Sequence, residues 1–296
     1  MKQKLWRILA IIVGLLAAAL LITAIWARPI ADHPFYDQFS RWPLVIAHQG
    51  GYGLWPSNTM YAYERAVDMG VDMLEMDLHI TADGALVLMH DGTVDRTTNG
   101  SGEIEDMTLA EIKQLDAGYT WTHDDGATYP FRGQGVTVPT MEEVFAAFPD
   151  MPMNIELKRT ETSMAEPFCR LIHEHDMQNK VLVASFRDET MTEFRAVCPD
   201  VATSGSEGEL TPFVLLSKVG LGWLFRPAAN AVQVPQERGG IRILSKGFVR
   251  AAHGRNMKVD AWTINEREDM RRIIDMGVDG IITDYPDRLL AELGGS

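Results

Sequence analysis

From Leu44 onward, short β-rich runs alternate with amphipathic stretches, which restricts the chain to βα units around a largely parallel sheet. Strand-like runs fall at 44–47, 73–80, 85–89, 153–158, 181–185, 201–203, 231–234, 258–263 and 280–283. Helical patterning covers 58–69, 141–148, 165–175, 189–197, 247–255 and 266–276. About 255 residues carry this pattern, close to the usual size of a (β/α)8 barrel. The expected fold is therefore an α/β TIM barrel over residues 42–293. Nine candidate strands are one more than a closed barrel needs, so one is an addition. The Gly-, Thr- and Asp-rich stretch 91–139, with one helical piece at 109–115, reads as a small insertion after the third strand.

The barrel is preceded by a different kind of segment. Residues 8–27, ILAIIVGLLAAALLITAIWA, hold no charge and would span roughly 30 Å as a helix, the thickness of a bilayer core. Trp6 and Trp26 bracket the run, and Lys2, Lys4 and Arg7 lie on its N-terminal side. Residues 1–30 are thus expected to be a single-pass transmembrane anchor, with a cytoplasmic N-terminus and an extracytoplasmic barrel. A cleaved signal usually has a shorter apolar region and a small-residue site, whereas Ile25 and Trp26 are bulky. A net charge of -14 argues against nucleic acid as a partner and against electrostatic adsorption to anionic lipid, leaving apolar burial for membrane attachment. Two cysteines, Cys169 and Cys198, exclude a disulfide scaffold and a Cys-type zinc site; whether they pair stays open.

Chemistry is concentrated at strand-like ends. In MLEMDLHI, Glu75 and Asp77 share one strand face, while Leu74, Met76 and Leu78 take the other. Two adjacent carboxylates repel unless neutralised, and a hard divalent cation with oxygen ligands would neutralise them. NIELK repeats the device with Glu156 and Lys158. One such strand alone reads as an exposed edge; two with apolar opposite faces point to a site. His48 closes VIAHQGG and His90 closes ALVLMHD. Barrel strands converge at their C-terminal ends, so His48, Glu75, Asp77, His90 and Glu156 are expected to meet there, suited to metal-assisted acid–base catalysis. His79 shares the acidic face one step further on. His33, His123, His173, His175 and His253 read as surface or helix residues.

Ordered motifs carry a resemblance. The chain has His48-Gln49-Gly50, Ser57-Asn58-Thr59, Glu75-Met76-Asp77, Thr81-Ala82-Asp83-Gly84, His90-Asp91 and Arg96-Thr97-Thr98. Pro139-Thr140-Met141-Glu142-Glu143, Ile155-Glu156-Leu157-Lys158, Trp262-Thr263-Ile264-Asn265 and the run from Gly277 to Pro286 follow. Over nearly all of 44–290 this resembles the glycerophosphodiester phosphodiesterase family. The resemblance implies a TIM barrel that hydrolyses a glycerophosphodiester to an alcohol and glycerol 3-phosphate. It further implies that Glu75, Asp77 and Glu156 hold one divalent cation, Ca²⁺ or Mg²⁺, with His48 and His90 as acid and base. Gln49, Lys158 and Trp262 then belong at the phosphate or substrate.

Two positions depart from the family pattern. Gln49 replaces an Arg that contacts phosphate, removing a charge but keeping a hydrogen-bond donor, and Ser57 replaces a Glu. The alternative they leave open is a catalytically inactive, membrane-tethered module that binds phosphodiesters or lipid. The apolar anchor, the run 139–158 and the apolar stretch 210–225 look closest to the membrane-bound branch with lysophospholipase D activity, which would act on lysophospholipids. Stretch 210–225 is either a segment that dips into a bilayer or an ordinary barrel helix, since apolar periodicity does not separate the two.

Overall fold

A computed structural model describes residues 2–158 and 160–294. Helix α1 (Lys2–Trp26) comes first; Ile8, Leu15 and Leu21 on it are exposed, and residue 1 of the expected anchor lies outside the described residues. The barrel then runs β1 (Leu44–Ala47), α2 (Met60–Met69), β2 (Met73–Ile80), β3 (Leu86–Leu88), α3 (Leu109–Ile112), α4 (Met141–Ala147) and β4 (Met153–Leu157). It continues through α5 (Ala165–Glu174), β5 (Val181–Ala184), α6 (Asp188–Val197), β6 (Ala202–Thr203), α7 (Glu207–Lys218) and β7 (Ala231–Pro235). A hairpin of β8 (Glu237–Arg238) and β9 (Ile241–Arg242) precedes α8 (Lys246–His253), β10 (Lys258–Trp262), α9 (Arg267–Ile274), β11 (Gly280–Thr283) and α10 (Pro286–Glu292).

Eight parallel strands pair in the order β6-β5-β4-β2-β1-β11-β10-β7. A parallel bridge between Ser204 and Ala231 joins the two ends, so the sheet curls into a nearly closed, TIM-barrel-like cylinder. The surplus strand is β3, which pairs antiparallel with β2. Its turn is the Thr81–Gly84 motif: Thr81 Oγ1 donates to Asp83 and accepts from the Ala85 amide, and Gly84 adopts a positive φ of 84°. The expected insertion thus follows the third strand of the chain but the second of the barrel. It has a small core of its own around Val94, Ile104, Ile112 and Val138. The β8–β9 hairpin was not expected from the sequence; two-residue strands around Gly239-Gly240 are too short for periodicity to register.

Period-two alternation sorts the barrel strands into an outer and an inner layer. Outward residues such as Val45, Leu74, Met76, Ile155, Val183 and Ile281 pack under the helices. Inward, Leu44, Ile46, Met73, Leu182, Ala202, Ala231 and Ile282 close the floor, plugged by Phe35 from a short turn at Pro34–Tyr36. Apart from Asp260 and Gln233, inward positions become polar above this layer, which is why the chemistry lies at the C-terminal mouth. Cys169 on α5 and Cys198, which ends α6, form a disulfide with Cα atoms 5.6 Å apart. Expected helix 165–175 and its neighbour are thereby tied together on the outer layer.

One inward acid sits among the floor residues. Asp260 is buried and accepts from Gln233 Nε2 at 3.3 Å. A Cβ at Gly280 would fall 2.4 Å from Asp260 Oδ1 and 2.7 Å from Ile46 Cδ1, so any side chain there would displace Asp260 or Ile46. Burial, reinforced by the Asp279 charge, pushes the Asp260 carboxyl up to about 7. Between its usual value and pH 7 the folded protein therefore holds a proton that the unfolded chain has lost, and stability falls as pH rises through that window. Asp260→Asn removes this dependence. It should stabilise the protein at pH 8 by about 1–4 kcal/mol while changing little at pH 4, and denaturant unfolding at the two pH values checks it. Equal effects at both pH values would contradict the assignment.

Candidate functional site

The mouth of the barrel collects acids from two neighbouring strands. Asp77 on β2 lies in direct register with Glu156 on β4, and Glu75 with Asn154. One carboxylate oxygen from each of Glu75, Asp77 and Glu156 lies within 4.8 Å of the other two. Lys158, just past β4, reaches back to Asp77 Oδ1 at 2.9 Å and Glu156 Oε2 at 3.1 Å. The result is three buried or half-buried carboxylates around one ammonium.

Electrostatics follow from that crowding. Burial, with the Asp77 charge adding to it, raises the Glu75 carboxyl to about 8. Burial raises Glu156 too, despite Lys158. At Asp77, burial is outweighed by Lys158, which keeps the carboxyl below its ordinary value. Lys158 in turn is pushed up, its burial overcome by Asp77 and Glu156. One ammonium for three acids leaves the cluster short of positive charge. Oxygen-only donors converging in this way suit Ca²⁺ or Mg²⁺, and Glu75, Asp77 and Glu156 could hold such an ion.

Two histidines flank the acids, each fixed through its Nδ1. His48 follows β1 and is held by Asp284 Oδ1 at 2.6 Å, while its Nε2 lies 3.9 Å from Glu75. Asn265 Nδ2 donates to the other oxygen of Asp284 at 2.6 Å, and the Asp284 amide donates back to Asn265 Oδ1. Burial lowers the His48 pKa, but Glu75 and Asp284 outweigh it and raise the group to about 9. His90 is held by Asp91 Oδ1 at 2.8 Å, and Arg96 grips both Asp91 oxygens, keeping that carboxyl at about 2. In both imidazoles Nε2 is the nitrogen that the supporting acid leaves open. His79 faces inward, is kept neutral by burial at about 4, and its Nε2 lies 3.5 Å from the His90 carbonyl.

The backbone after β1 also serves the acids. Gln49 adopts the left-handed φ of 52°, which turns its amide onto Glu75 Oε2 at 2.8 Å. A Cβ at Gly50, itself at φ 80°, would meet Ala62 Cβ at 2.8 Å, so the turn packs tightly on α2. The Gln49 side chain is buried beside His48, and its Oε1 lacks a hydrogen-bond partner among the described residues. Asn58 donates to Asp77 Oδ2 at 2.9 Å and is itself held by the Tyr63 hydroxyl. Trp262 ends β10 and meets Phe186 edge to face at 5.6 Å.

A cavity of about 550 Å³ joins these groups. Its lining combines His48, Glu75, His90, Glu156, Lys158 and Trp262 with the apolar side chains of Leu210, Val214, Leu215, Pro235 and Ile241. The stretch 210–225 is thus partly core, through Leu210 and Phe213, and partly exposed, through Leu215, Val219 and Trp223. Sequence reasoning placed the acids and histidines but gave no role to Asp284, Asn265, Asn58, Asp91 or Arg96. Their signal was available: each belongs to one of the ordered motifs, and Asp284, Asn265 and Asp91 lie just past strand ends.

Comparison with known proteins agrees with this geometry. The profile of the Glycerophosphoryl diester phosphodiesterase family matches residues 48–288. A glycerophosphodiester phosphodiesterase from Caldanaerobacter subterraneus subsp. tengcongensis is 34% identical over 252 residues, covering 83% of this chain and 96% of that protein. Lysophospholipase D GDPD1 from Rattus norvegicus is 24% identical, covering 82% and 84% of the two chains. Among solved structures, an Oleispira antarctica phosphodiesterase in complex with the product sn-glycerol-3-phosphate superposes with a TM-score of 0.66 at 26% identity, covering 85% of this chain and 97% of that one.

The carboxylate behind His48 gives a direct check. Asp284→Asn keeps a hydrogen-bonding partner but removes a charge, so the His48 pKa in the metal-free protein should fall clearly below about 9. A histidine titration followed by NMR measures it, and an unmoved His48 would contradict the geometry.

Proposed function

The chain belongs to the glycerophosphoryl diester phosphodiesterase family, and from that premise we propose that it hydrolyses glycerophosphodiesters with one divalent cation and two histidines. The observation that carries this reading is the convergence of Glu75, Asp77 and Glu156 within 4.8 Å, with an anchored imidazole at the same mouth. Glu75, Asp77 and Glu156 would hold the cation, which when bound supplies Lewis-acid stabilisation of charge on the phosphate oxygens. The side chains do the rest. His48 and His90 each present Nε2 with Nδ1 fixed by a carboxylate, so one takes a proton from the nucleophile and the other gives one to the leaving alkoxide. Lys158 places positive charge beside the same carboxylates, within reach of a phosphate oxygen. Gln49 offers an amide where family members carry a cation, so phosphate here is held with one charge fewer.

Lysophospholipids are a second substrate class. Its support is the apolar lining of Leu210, Val214, Leu215 and Ile241 in the same cavity as the acids and histidines. A deacylated diester has nothing to place there; one acyl chain does. The relation to a lysophospholipase D lends weight. An extracytoplasmic barrel is favoured by the Cys169–Cys198 disulfide, since such bonds persist in oxidising compartments, and by the basic residues before the apolar run.

Release of choline from glycerophosphocholine and from lysophosphatidylcholine should occur with Ca²⁺ or Mg²⁺ and stop with chelator. His48→Ala should lower kcat by about 10²–10⁴-fold with the barrel intact. No release from any diester at saturating cation would overturn the hydrolase reading. Biological activity that survives His48→Ala unchanged would favour the inactive binding module.

A further inference from the structure

One face of the barrel carries exposed apolar side chains that the chemistry leaves unused. Leu215 on α7 is 61% exposed, Val219 just beyond it 69%, Trp223 45% and Ile241 on the β8–β9 hairpin 56%. Leu221 lies between Val219 and Trp223 and is exposed as well. Leu215 and Ile241 also line the cavity, so this face is the outer continuation of the cavity's apolar wall.

Two further observations say what covers it. Arg255 Nη1 donates to the Ala27 carbonyl at 2.6 Å and to the Trp223 carbonyl at 2.7 Å. The turn Gly222–Leu224 also packs against α1. The uncharged run of α1 therefore ends on the apolar face, not elsewhere on the barrel. Charge points the same way. Between residues 211 and 255 the sequence holds Lys218, Arg226, Arg238, Arg242, Lys246, Arg250 and Arg255 against Glu237 alone, in a chain of net charge -14. Arg238 is paired with Glu207 and Arg255 is engaged by the two carbonyls, which leaves Lys218, Arg226, Arg242, Lys246 and Arg250 as a local basic excess that the overall acidity hides. Apolar burial and attraction to anionic headgroups are the two contributions that bind a protein to a bilayer interface, and tryptophan favours that depth.

We propose that this face, built from Leu215, Val219, Leu221, Trp223 and Ile241 with Lys218 and Arg242 at its edge, docks on an anionic bilayer. The substrate cavity then opens toward the lipid phase, and a single-chain lipid enters headgroup-first, its tail lying along Leu215 and Val214. The docking surface stands on its own observations; the lipid path rests on the reading of the cavity as the substrate site.

The test uses the full chain reconstituted in phosphatidylcholine vesicles containing phosphatidylglycerol. The emission lost on Trp223→Phe is the emission of Trp223 alone. We expect it to be quenched more by brominated lipid than by aqueous iodide. Stronger quenching by iodide, or protection from both (the mark of a second copy or another protein on this face), would overturn the docking surface. In the same vesicles, Val219→Glu/Leu221→Glu should slow choline release from lysophosphatidylcholine about tenfold and leave glycerophosphocholine within about twofold. An equal fall on both substrates, or on neither, would overturn the lipid path. If the unaltered protein turns over neither substrate, the hydrolase reading fails, while the quenching result still decides the docking surface.

Discussion

Repulsion among three acids is the constraint on which the rest of this structure depends. Glu75, Asp77 and Glu156 are brought together by barrel register, with Asp77 set directly beside Glu156. Burying three carboxylates at one point is costly, and a fold keeps such a cluster only if positive charge and hydrogen bonds answer it. Much of the surrounding architecture is that answer. Lys158 bridges two of the acids, the Gln49 amide turns inward to a third, and Asn58 takes the remaining oxygen of Asp77. The deficit left over is what a divalent cation would fill.

Around this centre, support is layered by distance from the barrel axis. His48 is oriented by Asp284, which is oriented by Asn265, and all three stand just past the ends of β1, β11 and β10. His90 stands differently. It hangs from the insertion side, after the antiparallel β3, and its partners Asp91 and Arg96 belong to the same loop. One imidazole is thus built on the rigid cylinder and the other on a local appendage. Below them, Phe35 and the apolar floor keep water from the far end.

Much of this was legible in the sequence, and the reason is period-two alternation. The pattern in MLEMDLHI and NIELK fixes which side chains face inward, and strand ends fix their height, so the acids and His48 could be placed without coordinates. Other motifs misdirect. Thr81–Gly84 is a hairpin turn, and Thr140 with Glu143 is a capping box that starts α4. They recur in order with the chemical motifs but shape the chain rather than the reaction. What stayed hidden is long-range pairing. That Asp284 serves His48, 236 positions away, depends on β11 closing against β1, which no local pattern states. Pairing of Cys169 with Cys198 and the basic face beside α1 are hidden for the same reason: they are made by packing, and overall charge averages them away.

The central claim is that these three acids surround a single cation. Its most direct measurement is a crystal structure of the protein soaked with Mn²⁺, read by anomalous scattering. The account predicts one peak at the barrel mouth within about 2.0–2.6 Å of oxygens from Glu75, Asp77 and Glu156. A fully soaked crystal in which Lys158 still bridges Asp77 and Glu156 with no peak between the acids, or a peak on other ligands, would contradict it.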